Sequence, residues 1–207
     1  MSFTFSSLTS NVTIVPPKDV SIAREGAIIT PTEDDIFTMV KAWINSALND
    51  LVPVVRGQQN RVAEPTEDDW VEITPGLRQR TGTNATDFFD PVIGFAGGPP
   101  YALGQRVVWQ PTQVDIQVDV HGPNGAQNVS VITALFRDLD ACDFLQSLNP
   151  NVTALFTSEP QQLAFINEGN QFEDRWSVDL SLQVNFSITR PQTFAAVLSV
   201  QSLYPNT

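Results

Sequence analysis

Residues 175–189 read RWSVDLSLQVNFSIT, and polar and apolar side chains alternate along the whole stretch without an exception. Trp176, Val178, Leu180, Leu182, Val184, Phe186 and Ile188 share one side, while Arg175, Ser177, Asp179, Ser181, Gln183, Asn185, Ser187 and Thr189 share the other. A period of two predicts a strand with one buried and one wet face. At about 3.3 Å per residue the strand would run roughly 45–50 Å, well beyond the usual length of about five or six residues. It overruns an ordinary domain, so the excess bends, is covered by an insertion, or pairs with another chain. The polar face is mostly Ser, Gln and Asn, and no Lys guards the edge. Two readings follow: a strand that meets a neighbouring subunit, or a long hairpin strand buried within one monomer.

Working outward, Leu163 to Asn167 is a candidate strand and Gly169-Asn170 a turn signal, which predicts a hairpin with the long strand. Val107 to Val120 repeats the alternation, with Val114, Ile116, Val118 and Val120 on one side and Gln113, Asp115, Gln117 and Asp119 on the other. His121-Gly122-Pro123-Asn124-Gly125 stops that strand. A helix follows with Val129, Ile132, Leu135 and Phe136 on one face, then a shorter one from Asp140 to Leu148 carrying Cys142 and Leu145. Trp70 to Arg80 reads as a strand with Val71, Ile73 and Leu77 inward and a bulge at Pro75-Gly76. Val54-Val55-Arg56 is a short strand leading into the polar loop Gly57 to Arg61. Residues 81–105 hold turn signals such as Thr81-Gly82-Thr83-Asn84 and Gly97-Gly98-Pro99-Pro100, and are read as a loop insertion of the functional or partner-ordered kind.

Thr32 is placed to N-cap a helix whose first turn carries Glu33, Asp34 and Asp35. Ile36, Val40, Trp43, Ile44, Ala47, Leu48 and Leu51 then recur at helical spacing, and the helix is expected to end before Pro53. The resulting order predicts an α+β fold, a mainly antiparallel sheet with helices packed on one face. The expected organisation is an N-terminal arm over 1–31, an α+β domain over 32–190 with the insertion 81–105, and a C-terminal docking segment over 191–207. The arm either adds a strand to a partner, lies along the domain surface, or is a disordered leader.

The charge balance narrows the partners. Eleven Lys and Arg against 23 Asp and Glu give a formal net charge of −12. That argues against groove or phosphate-backbone binding, which needs clustered cations. An acidic surface repels nucleic acid, which is useful beside a DNA path. A single cysteine, Cys142, excludes an internal disulfide framework and a cysteine-cluster zinc site. The start lacks the pattern of a secretory signal and no long apolar run occurs, so the expectation is no export by that route and no membrane association.

No catalytic apparatus is legible. His121 is the only histidine and sits at a strand end beside a Gly-Pro turn, where a structural role is expected. Neither a Gly-x-Ser-x-Gly elbow nor a G-x-x-x-x-G-K-[ST] loop is present. Asp115 and Asp119 lie on one strand face about 13 Å apart, too far for a glycosidase pair, and are read as a solvated or channel-facing acidic row. Glu64, Glu67, Asp68, Asp69 and the pair Asp87, Asp90 lack EF-hand spacing and read as surface acidity rather than a cation site. No cofactor and no metal are expected.

Several phrases together carry a resemblance: Val55-Arg56-Gly57-Gln58-Gln59-Asn60-Arg61-Val62-x-Glu64-Pro65, Gln110-Pro111-Thr112-Gln113-Val114 leading to Asp119-Val120-His121-Gly122-Pro123, Leu135-Phe136-Arg137-Asp138, and Phe172-Glu173-Asp174-Arg175-Trp176. They resemble the neck or tail-terminator proteins of tailed bacteriophages, in the right order over about residues 33–207. The resemblance implies a structural virion protein without chemistry. Such a protein assembles as a ring, typically a hexamer, between head connector and tail tube, caps tube polymerisation and leaves a channel for DNA. The implied partners are further copies of the chain, head-completion or connector proteins, the tail tube, and sheath or collar proteins. DNA passes without sequence-specific binding, and the implied location is the virion, with assembly in the host cytoplasm. Arg56, Gln58, Gln59, Asn60 and Arg61 are expected at a subunit or partner interface, because a polar loop bounded by arginines can bond across it. Ser181, Gln183 and Asn185 are expected there too, as the uncharged polar face of the long strand. The competing reading is a carbohydrate- or receptor-binding module of a phage tail, with Trp109 and Trp176 as a stacking platform, although Trp176 falls on the apolar face.

Overall fold

The alternating stretch becomes one continuous strand over Phe172–Gln192, longer at both ends than the alternation itself. The computed structural model describes residues 11–14, 27–58, 65–89, 104–166, 172–192 and 198–201. In chain order the elements are β1 (Asn11–Ile14), β2 (Ile28–Thr30), α1 (Glu33–Ala47), β3 (Val54–Arg56), β4 (Trp70–Arg80) and β5 (Ala85–Phe89). There follow β6 (Gly104–His121), α2 (Gly125–Phe136), α3 (Leu139–Leu148), β7 (Val152–Thr157), β8 (Gln161–Ile166), β9 (Phe172–Gln192) and β10 (Leu198–Gln201). The fold is α+β, with an eight-stranded, mostly antiparallel sheet.

The chain divides into two compact units. One comprises residues 1–27, 87–107 and 189–207 and contains the antiparallel pair β1 and β10, in which Asn11 faces Gln201 and Ile14 faces Leu198. The other comprises residues 28–86 and 108–188 and holds the helices and the core.

In the larger unit the sheet order runs β2, β9, β6, β4, β3, with β7 and β8 also paired to β9. β8 pairs antiparallel with residues 172–177 of β9, the predicted hairpin, and β7 with residues 180–184. β6 flanks the opposite edge, since its Asp119 and Asp115 bond to Arg175 and Ser181. Both edges of β9 are therefore covered within the chain over this stretch. Of the two readings of the long strand, the intramolecular one holds for its edges.

The core lies between one face of this sheet and the three helices. Val178, Leu180, Leu182, Val184 and Phe186 of β9 and Val114, Ile116, Val118 and Val120 of β6 meet Ile36, Val40, Trp43 and Ile44 of α1, Val129, Ile132 and Phe136 of α2, and Ala141 and Leu145 of α3. Trp43 meets Phe136 edge to face at 5.0 Å between centroids. Leu180 and Leu182 are fully buried, and each stabilises the fold by about 1.5–3 kcal/mol through area removed from water.

Local chemistry explains where the elements start and stop. Thr32 caps α1 as expected: its hydroxyl accepts from the Asp35 amide while the Asp35 carboxylate accepts from the Thr32 amide. The helix ends earlier than its periodicity suggests. Asn49 and Asp50 adopt φ of 53° and 56°, a left-handed conformation these residue types tolerate. The chain turns away, and Leu51 is 81% exposed rather than in the core. Leu77 also departs from expectation. The register of β4 on β6 shifts between Pro75 and Arg78. The extra residue of this bulge breaks the period of two, so Leu77 turns outward while Val71 and Ile73 stay buried. Leu135, assigned to the buried face of α2, is half-exposed, while Val129, Ile132 and Phe136 are buried. Within the stretch read as a loop insertion, Ala85–Phe89 forms β5 on β6. β3 pairs parallel with β4, whereas β4 with β6 and both β7 and β8 with β9 pair antiparallel.

Candidate assembly surface

The face of the sheet opposite the helices is where β4, β6 and β9 place the polar halves of their alternating sequences. It carries Glu72 and Thr74 from β4, Gln113, Asp115, Gln117, Asp119 and His121 from β6, and Arg175, Ser177, Asp179, Ser181, Gln183 and Asn185 from β9. These groups are knitted together. Gln113 Nε2 donates to Asp115 Oδ1 at 2.9 Å, and the Ser181 hydroxyl donates to the same oxygen at 2.6 Å. Asp119 Oδ2 accepts from Gln117 Nε2 at 2.9 Å and from Arg175 Nη2 at 2.7 Å. Gln183 Nε2 donates to Asn185 Oδ1 at 3.2 Å.

Two expectations change in detail here. Asp119 is not a solvated member of an acidic row: it is buried, at 1% exposure, and ion-paired to Arg175. Ser181 is likewise buried and spends its hydroxyl on Asp115. The residues first assigned to two surfaces, Ser181, Gln183 and Asn185 to an interface and Asp115 and Asp119 to an acidic row, thus lie on one face. Asp115, Gln183 and Asn185 remain partly accessible on it. Asp179 adds a carboxylate that no spacing argument singled out. Desolvation, reinforced by repulsion from Asp115 and Asp119, pushes its pKa up from the ordinary carboxylate value.

His121 has the structural role its position suggested. Its ring is 3% exposed and stacks on Trp70 with centroids 3.8 Å apart, and Nε2 lies 3.9 Å from Glu72 Oε2. Trp176 is half-buried against the core, which removes it from any stacking platform. Asp69, read only as surface acidity, ties down the turn after β6: its carboxylate accepts from the Asn124 amide at 2.9 Å and from Asn124 Nδ2 at 2.7 Å. Gly122 adopts φ +103° there, and a Cβ on it would come within 2.2 Å of the Asp68 carbonyl. That contact spans more than fifty positions of sequence, so no local pattern announces it.

At one side of the same sheet, β3 leads into the polar loop. Arg56 is bound intramolecularly by Glu33 and Asp34 at the start of α1 and lies over Phe37 at 5.5 Å. The hydrogen bond that the guanidinium donates to Asp34 raises its pKa further; burial opposes this, and the charges of Asp34 and Glu33 add to the rise. Glu33 also holds Arg78 at 3.0 Å. Gln58 is exposed with φ 56°; Gln59, Asn60 and Arg61 lie outside the described residues, as do Glu64 and Asp90.

Among the described residues no group of His, Cys, Asp or Glu is placed to hold a metal ion. A recess beside the β4 bulge, lined by Ile36, Phe37, Pro75, Val114 and Ile116 with Glu33 and Arg78, encloses about 20 Å³. That is room for about one water, which needs roughly 10–15 Å³ of such space. No helix among the described residues is long and apolar enough to cross a membrane.

No curated protein matches the chain. A family model described as phage neck terminator protein matches residues 34–206, nearly the span over which the sequence phrases carry their resemblance. The match takes in the polar face, the larger sheet apart from β2, and the helices but for the first residue of α1, and the family is one of structural proteins that meet other head–tail proteins in the virion neck. The chain belongs to the phage neck terminator protein family.

Proposed function

We propose that the protein closes into a ring, hexameric as the resemblance implies, between the head connector and the tail tube, where it ends the tail and leaves a channel for DNA. The observation that carries this reading is the acidic polar face of the sheet, on which Asp179 is exposed and Asp115 partly accessible. Glu72, Asp115, Asp119 and Asp179 lie on it with Arg175, the cation paired to Asp119. Turned inward, such a face repels the phosphate backbone and offers no cation cluster on which DNA could stall. Asp179 and the partly accessible Asp115 form the outer part of the acidic row, and Asp119 with Arg175 braces it from beneath.

In this reading the interface with neighbouring subunits or partners falls on the loop from Arg56 to Arg61. Arg56 anchors its root to α1, and the contacts are assigned to Gln58, Gln59, Asn60 and Arg61. Gln183 and Asn185 border the channel, and Ser181 orients Asp115. Head-completion proteins, the tail tube, and sheath or collar proteins meet the two ends of the ring. The protein takes its place during assembly in the host cytoplasm.

The test is the absolute mass of the purified chain by light scattering, with images of the particles by negative-stain electron microscopy. A single species near six times 22.8 kDa with a central hole is expected. A chain that stays monomeric at every concentration, alone and mixed with tail tube, would overturn the ring.

A further inference from the structure

A ring built from one kind of subunit needs two different, complementary patches on opposite sides of that subunit, since a self-complementary patch closes a dimer instead. The two lateral edges of the larger sheet carry such a pair. At one edge is β7, whose register on β9 slips between Ala154 and Phe156. The slip leaves Leu155 45% and Phe156 53% exposed side by side. At the other edge is the second half of β4. β3 pairs only with Val71 to Ile73, so beyond Ile73 the outer side of β4 has no strand partner among the described residues. There the bulge turns Leu77 out to 65% exposure, the largest after Leu51 and Leu139 among the exposed large hydrophobics described.

Each edge also offers exposed charge, of opposite sign. Exposed Arg80 follows Leu77 on β4. α3 lies along β7, with Cys142 Sγ donating to the Ala154 carbonyl at 3.5 Å and Gln146 Nε2 donating to Thr153 Oγ1 at 3.2 Å. That helix presents the exposed carboxylates of Asp140 and Asp143. The backbone of β7 is also spoken for at its end, where Arg137 donates to the Thr157 carbonyl at 3.3 Å. A neighbour therefore meets this edge through side chains, with an apolar centre and a charged rim, and does not extend the sheet.

We infer that the occupant of each edge is a second copy of this chain: Leu155 and Phe156 of one subunit pack against the Leu77 bulge of the next, with Arg80 facing the α3 carboxylates. The inference rests on the ring reading and adds to it the pair of surfaces that closes the ring. It also places the Arg56–Arg61 loop on the closing side, because the Gly57 amide donates to the Ile73 carbonyl at 2.8 Å and so starts that loop beside the β4 bulge.

Cross-linking tests it. In a Cys142→Ser background, which keeps a donor to the Ala154 carbonyl, the double variant L77C/F156C is treated with a short bis-maleimide. Denaturing gels should show a ladder of covalent oligomers ending at the mass of the closed ring, while L77C alone and F156C alone give no ladder. In parallel, F156D and L77D should each lose the ring in light scattering yet melt within a few degrees of the parent, since both side chains are exposed. If the parent forms a ring and the double variant gives no ladder, or either aspartate variant keeps the ring, this pairing is wrong and the ring reading survives. A parent that never leaves the monomer overturns both.

Discussion

Replacing Arg175 by Met would keep the apolar stem of the side chain and remove the cation from a carboxylate that has almost no access to water. Asp119 is 2% exposed at its side chain and Arg175 24%, so the arginine can still reach solvent while the aspartate cannot. Breaking a buried pair from the cation side strands the anion, at a cost of about 3–5 kcal/mol. Gln117 Nε2 remains as a donor to Asp119 Oδ2, which places the expectation at the low end, about 3 kcal/mol. That corresponds to roughly a hundredfold fall in the folded-to-unfolded ratio, and to a Tm lower by roughly 6–12 °C for a chain of this size. Asp119→Asn should cost clearly less, because an amide oxygen still accepts both hydrogen bonds and the partly exposed guanidinium finds water. The assay is urea unfolding followed by circular dichroism at one fixed protein concentration, since self-association would otherwise shift the midpoint by mass action. An R175M midpoint within about 0.5 kcal/mol of the parent, a scatter typical of neutral surface changes, would refute the argument. So would a D119N variant less stable than R175M.

Other expectations follow from single contacts. Asp179→Asn should raise Tm at pH 7. The raised pKa means that the folded state favours the protonated carboxyl, so stability is fully present below the unfolded value and is lost as pH rises through the folded one; the gain from D179N should therefore vanish in melts recorded below about pH 4, and a gain that persists there would contradict the sign. Gly122→Ala should lower stability by about 1–3 kcal/mol from backbone strain alone, and by more from the 2.2 Å approach to the Asp68 carbonyl; an alanine variant that melts with the parent would mean the turn relaxes freely. Thr32→Ala removes the cap of α1 and should cost about 1 kcal/mol, whereas Thr32→Ser should be nearly silent, and equal losses in the two would point away from the hydroxyl. The hydrogen bonds of the Thr32 amide and then its hydroxyl hold the Asp35 carboxyl below its usual range. The support Asp35 lends is accordingly complete above the unfolded carboxylate value and fades as pH falls through the folded one, which acid melts of T32A against the parent would report as converging curves.

How much of this was legible before the fold was known differs from element to element. The alternation of residues 175–189 determined a strand with a buried and a polar face, because side chains on extended backbone point in opposite directions whatever lies beside them. Thr32, followed by the acidic first turn Glu33, Asp34 and Asp35, marked the start of α1, because an N-cap and its dipole charges act within four residues. The order of polar and apolar residues also carried the α+β class, and the phrases around Arg56, Gln110, Leu135 and Phe172 carried the family. What lies beside each strand was decided by tertiary structure. That β9 is flanked by β6 on one side and by β8 and β7 on the other depends on pairings between distant segments, and the same sequence read alone fitted an intersubunit strand equally well. The bulge that turned Leu77 out and the left-handed pair that released Leu51 each shifted a local period by a residue or two, which reversed the face assigned to a large side chain. Asp119 read as part of a wet row because its own strand shows only its parity; it is buried, and its cation partner Arg175 lies 56 positions away. Periodicity encodes which way a side chain points relative to its own backbone, and only the packed fold determines what it points at.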